Sequence, residues 1–177
     1  MPIAVELEFD HNTSNEIRSI WKDMSDYGVS QFLHHSPGVP HVTLAMYNGI
    51  EDLPAFIRHV NSFSYTISKP SINLNSVGLF NVERNIIYLA VTVTSDLIFM
   101  HKNFYSHMEE YSPNAWRFYM PGVWVPHVTV AINVEEDKLI RGVEIAAKKF
   151  KPMMATAEAL HVIDVQEAKT IERIAIL

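Results

Sequence analysis

The sequence predicts an α+β protein with a bilobal, pseudo-two-fold duplicated fold, in which two antiparallel sheets backed by helices face each other across a central cleft. Three observations point there. The stretch VPHVTLA (Val39 to Ala45) returns as VPHVTVA (Val125 to Ala131), six of the seven positions agreeing. The same order of strand-like and helix-like segments surrounds each copy, as an internal duplication would leave it. The chain of 177 residues is 48% hydrophobic and 19% charged, which supplies a substantial core for a single domain. Within that domain the lobes are expected at about residues 1–94 and 95–177, with strand exchange between them allowed.

IAVELEF alternates apolar and polar residues and reads as a half-buried strand. DHNTSN is rich in helix-capping residues, and Ile17, Ile20, Trp21 and Met24 then recur at helical spacing up to Gly28. After the turn-like HHSPG comes VPHVTLAMY, a strand with Pro40 near its start, where a missing N–H is tolerated. Leu53, Phe56, Ile57 and Val60 predict a helix with Pro54 in its first turn. Strands are expected over Tyr65 to Phe80 and Ile86 to Thr94, joined by a hairpin at NVERN.

The second half follows the same order. Leu97, Met100, Phe104 and Met108 form one helical stripe in a helix from Ser95 to about Tyr111, ended by SPNAWRFYMPG. VWVPHVTVAIN is the second histidine strand. EEDKLIRGVEIAAKKF carries acids first and lysines last, as the helix dipole prefers, and is helical despite Gly142. ATAEALHVIDVQ and TIERIAIL close the chain as strands.

Charge and composition exclude several classes of function. Fourteen Lys and Arg against 20 Asp and Glu give a net charge of −6, the wrong sign for gripping long nucleic acids through their phosphates. Local positive charge is available at Arg84, Arg117, Lys148, Lys149 and Lys151, each with an ordinary surface role as the alternative. Cysteine is absent, which removes disulfides, thiolate catalysis and Cys-ligated metal sites and suits a cytoplasmic protein. No apolar run approaches the roughly 20 residues of a membrane span, and the acidic flanks of MPIAVELEFD do not resemble a signal peptide.

In an extended strand alternate side chains share a face, so His41 and Thr43 point one way and Val42 and Leu44 the other; His127 and Thr129 repeat this. Two lobes related by a pseudo-two-fold axis bring both polar pairs to one cleft. One imidazole can then take a proton from an attacking hydroxyl while the other gives one to the leaving oxygen, and the threonine hydroxyls can bond the non-bridging phosphate oxygens.

HVTL and HVTV, each preceded by proline, resemble the paired H-x-[ST]-x motifs of the two-histidine phosphoesterase superfamily, which includes bacterial 2′-5′ RNA ligases and 2′,3′-cyclic nucleotide phosphodiesterases. The resemblance implies that His41 and His127 are the catalytic acid–base pair and that Thr43 and Thr129 bind the phosphate. It implies a metal-independent hydrolase that opens 2′,3′-cyclic phosphates of nucleotides or RNA ends; no cofactor is expected, and the cytoplasmic location is the expectation from composition. Its partner is then a small cyclic phosphate or RNA end, not a membrane; 2′-5′ ligation is an alternative activity.

Two other readings compete. A metal site could draw on His34 and His35 beside His41, but three ligands at hydrolytic-zinc spacing are not evident, and the pair suits a loop at the cleft mouth. A non-catalytic phosphate or RNA-end binding module could stack bases on Phe80, Tyr88, Trp116, Tyr119 or Trp124, whose ordinary alternative is core packing. His11, His59, His101, His107 and His161 receive no role.

Overall fold

The computed structural model describes residues 1–81 and 85–177. The middle of the expected NVERN hairpin, and with it Arg84, lies outside the described residues. In chain order the elements are β1 (Ile3–Phe9), α1 (His11–Asp26), α2 (Phe32–His35), β2 (His41–Tyr47), α3 (Leu53–Ser64), β3 (Ser71–Phe80), β4 (Asn85–Val91), α4 (Ser95–His107), β5 (His127–Val134), α5 (Leu139–Lys149), β6 (Met153–Asp164) and β7 (Lys169–Ala175).

The helices begin where their capping residues stand. Asp10 accepts the Thr13 N–H at 3.0 Å, Asp52 accepts that of Ala55 at 2.9 Å, and Thr94 accepts that of Leu97 at 3.2 Å. The strand expected to reach Thr94 ends at Val91, and the helix expected from Glu135 begins, after a 3₁₀ turn, at Leu139; two further boundaries also differ from expectation. The strand expected from Tyr65 starts only at Ser71, because α3 continues to Ser64 and Pro70 cannot donate to a ladder. The helix expected to reach Tyr111 ends at His107 and tightens into a 3₁₀ segment, Glu109–Asn114, that contains Pro113.

Among the described residues, seven strands pair antiparallel in the order β2-β1-β6-β3-β4-β5, with β7 also on β6. The long β6 joins the two halves of the sheet: Met153 to Thr156 pair with β3, while Ala159 to Asp164 pair with β7 and residues from Ala157 onward with β1. Each half takes elements from both ends of the sequence. Helices α1 and α5 pack on the half containing β4 and β5, and α3 packs on β6 and β7 with α4 beside it. Gly142 lets α5 lie close to the sheet, since a Cβ there would come within 2.5 Å of Ile87 Cδ1 and 3.0 Å of Val29 Cγ1.

The core fixes which way the histidines point. Val42, Leu44 and Val128 are fully buried and Val130 nearly so. Burial of each such side chain is worth about 1.5–3 kcal/mol. A one-residue slip of either strand would expose these and bury the imidazoles, so register is strongly specified.

Strands β2 and β5 are the ends of the sheet path, and side chains occupy their free edges, as unpaired edges require. Trp124 Nε1–H donates to Thr43 O at 3.0 Å and His101 Nε2 bonds Leu44 O at 3.1 Å. On β5, Trp21 Nε1–H donates to Thr129 O at 3.0 Å, and the Ser30 hydroxyl donates to Ile132 O at 2.8 Å. Replacing Trp124 by Phe keeps an aromatic ring but removes the indole N–H, leaving the partly buried Thr43 carbonyl without this donor. The expected loss is about 1–3 kcal/mol of unfolding free energy, read from urea denaturation; an unchanged midpoint would count against this role.

Candidate active site

The duplication is visible in the backbone of the two histidine strands. On β2, Thr43 pairs with Glu6 and Ala45 with Val5, leaving Leu44 as a bulge. On β5, Thr129 pairs with Tyr88 and Ala131 with Ile87, leaving Val130 as the bulge. The irregularity falls at the same motif position in both copies, directly after the threonine, and bulges of this kind re-aim side chains near active sites.

The Val-Pro-His order has a local purpose in both copies. His41 Nδ1 lies 2.6 Å from Val39 O, and His127 Nδ1 lies 2.8 Å from Val125 O. A carbonyl only accepts, so Nδ1 carries the proton in each ring and Nε2 is left to exchange one. Both rings are thereby held in one tautomer by the carbonyl two residues back, across the proline.

The fold brings the two motifs together. Strands β2 and β5 run close to one another without pairing, and Trp124, three residues before His127, bonds the carbonyl of Thr43. The imidazoles are near enough for charge on His127 to disfavour charge on His41. Thr43 and Thr129 are half-buried on the same strand faces as the histidines.

Burial governs the titration of both rings. His41 keeps 25% of its side-chain surface, yet desolvation carries its pKa down to about 4; the Val39 carbonyl opposes this, while His127 and His161 add to it. His127 is lowered by desolvation and partly restored by the Val125 carbonyl. Around His127 the walls are aromatic: Phe80 meets it edge-on at 4.8 Å and Tyr88 at 5.5 Å, and those two rings stack at 4.2 Å. Tyr88 lies directly over Gly78, where a Cβ would come within 2.3 Å of the ring.

A cavity of about 290 Å³ opens beside His127, walled by Phe80, Trp116, Phe118 and Tyr119. Of the five aromatics expected to stack or to pack, Phe80, Trp116 and Tyr119 line this cavity and Tyr88 supports it from behind Phe80. Trp124 is 8% exposed and stacks face to face on His101 at 3.9 Å, so it belongs to the core.

The remaining sequence candidates lie elsewhere. His34 and His35 form the one-turn α2 against α1 and β5. Lys149 pairs with Asp23 at 2.8 Å on the outer side of α1 and α5, where Lys148 also lies. Among the described residues, no group of three or more His, Asp or Glu is placed to hold a metal ion.

Sequence reasoning missed the polar floor beside His41. Glu6 is 6% exposed and its Oε2 lies 3.1 Å from His41 Nδ1. His161, 3% exposed, places Nε2 2.9 Å from Glu8 Oε2 and Nδ1 3.2 Å from Thr170 Oγ1, and Arg173 Nε–H donates to the same Glu8 oxygen at 2.6 Å. The signal was present in IAVELEF: the alternation puts Glu6 and Glu8 on one face of a strand whose other face is wholly apolar.

Fold and site together define a protein of the two-histidine phosphoesterase class. The chain belongs to the 2′-5′ RNA ligase superfamily, matching that family over residues 9–169. It is 26% identical over 101 residues to a candidate phosphoesterase of Bacillus licheniformis; the match covers 56% of this chain and spans 56% of the relative's length. The fold is also that of TT0787 from Thermus thermophilus, with a TM-score of 0.64 and 12% identity over 99% of this chain and 98% of the other. E. coli LigT complexed with 3′-AMP gives a TM-score of 0.58 at 14% identity, covering 99% of each chain.

Proposed function

We propose that the protein is a metal-independent phosphoesterase that opens 2′,3′-cyclic phosphates of nucleotides or RNA ends, with His41 and His127 as the acid–base pair and Thr43 and Thr129 binding the phosphate. The observation that carries this reading is the matched tethering of both imidazoles. Each Nδ1–H is committed to a backbone carbonyl, which leaves two Nε2 atoms on neighbouring strands, each with a hydroxyl two residues along the same face.

In the reaction one neutral imidazole takes a proton from water as the water oxygen attacks phosphorus. The P–O3′ bond breaks, and the second imidazole, charged beforehand, donates its proton to the departing 3′ oxygen; the product is a 2′-phosphate. Negative charge growing on the non-bridging oxygens is met by the Thr43 and Thr129 hydroxyls. The aromatic cavity beside His127 suits a nucleobase, whose π-face can stack without sequence-specific bonding. LigT, whose fold this chain shares, has been crystallised with a mononucleotide, and the net charge of −6 favours small substrates over long polyanions.

The test is hydrolysis of 2′,3′-cyclic AMP and 2′,3′-cyclic UMP by purified protein in excess chelator, with product position read by ³¹P NMR. Turnover to the 2′-phosphate with a bell-shaped pH dependence is expected. Activity lost to chelator and restored by zinc would replace this reading with a metal-assisted one. Saturable binding without turnover across cyclic phosphates and RNA ends would point to a binding module.

A further inference from the structure

The two histidines are tethered alike but surrounded differently. At the position opposite the motif threonine, β1 presents Glu6 to His41 while β4 presents Tyr88 to His127. Glu6 Oε2 lies 3.1 Å from His41 Nδ1, is buried, and has no hydrogen-bond partner among the described residues. The Nδ1–H is already given to Val39 O, so the carboxyl stands beside the ring without accepting that bond.

The other titratable groups around Glu6 are accounted for. From β6, His161 stands in register with it, but both ring nitrogens of His161 are engaged, by Glu8 and Thr170. Glu8, next on the same face of β1, is held by His161 and Arg173. Tyr119 lies near enough for Glu6 to hold its phenol protonated, its pKa pushed up to about 12 chiefly by burial. From β5, His127 faces the site across from His41. Among the described residues, the titratable group in direct reach of that carboxyl oxygen is therefore His41.

Burial pushes the Glu6 carboxyl well above the usual carboxylate range and the His41 ring well below the usual imidazole range. A neutral carboxyl beside a neutral imidazole contains the same number of protons as a carboxylate beside an imidazolium, so such a pair titrates as a unit. Because Nδ1 already carries a proton, a proton that leaves the carboxyl reaches the ring at Nε2 by way of solvent in the cleft, and that move leaves the net charge of the site unchanged.

We propose that Glu6 is a positioning residue that keeps one proton in the Glu6–His41 pair through neutral pH, so that His41 is the general acid and His127, which β4 faces with Tyr88 at the matching position, is the general base. This rests on the phosphoesterase reading above for the direction of proton transfer, but not for the shared proton. The pair delivers its proton from His41 Nε2 to the leaving oxygen, ending as Glu6 carboxylate and neutral His41. The proton that His127 removed from water then returns to the pair through solvent, which resets both groups.

Glu6→Gln, nearly isosteric, is the variant to test by pH–rate profile on 2′,3′-cyclic AMP. The expected result is a fall in kcat of about 10–100-fold at pH 8, with the alkaline limb moved at least about one pH unit lower and the acidic limb, which belongs to His127, unchanged. Glu6→Asp should restore much of the alkaline limb. A change in KM alone, or identical limbs in Glu6→Gln and wild type, would overturn the proposal.

The proton itself is read in wild-type protein by ¹⁵N shifts of the His41 ring and the ¹³Cδ shift of Glu6 across pH 3 to 10. Both nuclei should report the same two coupled steps. A Glu6 carboxyl that titrates alone near the ordinary value, with no response at His41, would overturn the proposal whether or not the variant folds. Wild-type protein inactive on cyclic nucleotides would remove the phosphoesterase reading, and the coupled titration would still decide whether the pair shares a proton.

Discussion

On the proposed function, replacing either His41 or His127 by alanine is expected to lower kcat for cyclic-phosphate opening by about 10²–10⁴-fold, the usual contribution of a positioned acid or base. The physical reason is the matched geometry: each ring is fixed by its own backbone carbonyl, and in the proposed in-line reaction neither Nε2 could take over the other's task. The two losses should not multiply in the double variant, because once one member of a concerted pair is gone the other assists little. On the same proposal, Thr43→Val and Thr129→Val would remove only a hydrogen bond to the phosphate. They should cost less, about tenfold to a hundredfold, and appear partly in KM. Steady-state kinetics on the five proteins checks the ranking; a His41 or His127 variant that keeps more than a tenth of wild-type kcat would remove the acid–base assignment.

Acid should destabilise the fold between pH 6.5 and about 4. His101 is 1% exposed between the Trp124 ring and β2, and burial carries its pKa down to about 4 against the pull of the Leu44 and Tyr119 carbonyls. As pH falls below 6.5 the unfolded chain takes up the proton first, so the folded state loses stability until the folded ring also titrates, near 4. For this one residue the loss is about 3 kcal/mol across the window, at about 1.4 kcal/mol per pH unit. His41, His127 and His161 are shifted in the same direction and add to it. Glu6 opposes them: its folded pKa is raised, so above pH 4.5 the unfolded state sheds the proton first, and acidification within the window favours the fold at that site. Four histidines against one glutamate leave a net loss. Urea denaturation at half-unit pH intervals should show a falling midpoint from pH 6.5 to 4.5, with a shallower slope in His101→Phe. A midpoint that is flat or rising as pH falls would contradict the sign.

The cleft chemistry was legible to different depths. His41, Thr43, His127 and Thr129 stood out because a repeated phrase on an alternating strand needs only period-two geometry to place its side chains. The helices of α1, α3 and α4 were equally plain, since Asp10, Asp52 and Thr94 each stand where an N-cap is needed. His101 and His161 carried no such mark. Their roles come from partners 57 residues away, at Leu44, and 153 residues away, at Glu8. Trp124 read as a stacking candidate by proximity to the motif, and its bond to Thr43, 81 residues off, places it in the core.

By itself the amino-acid sequence determined the α+β class, the duplication, the two histidine strands and the face each presents, because these follow from local periodicity, capping and a repeat. Only the tertiary structure decided that α1 serves the sheet half bearing the second histidine strand, that β6 joins both halves, and that a buried carboxyl stands beside one histidine and an aromatic ring beside the other. Those are pairings between distant segments. They are set by which surfaces bury best against each other, and no local pattern encodes them.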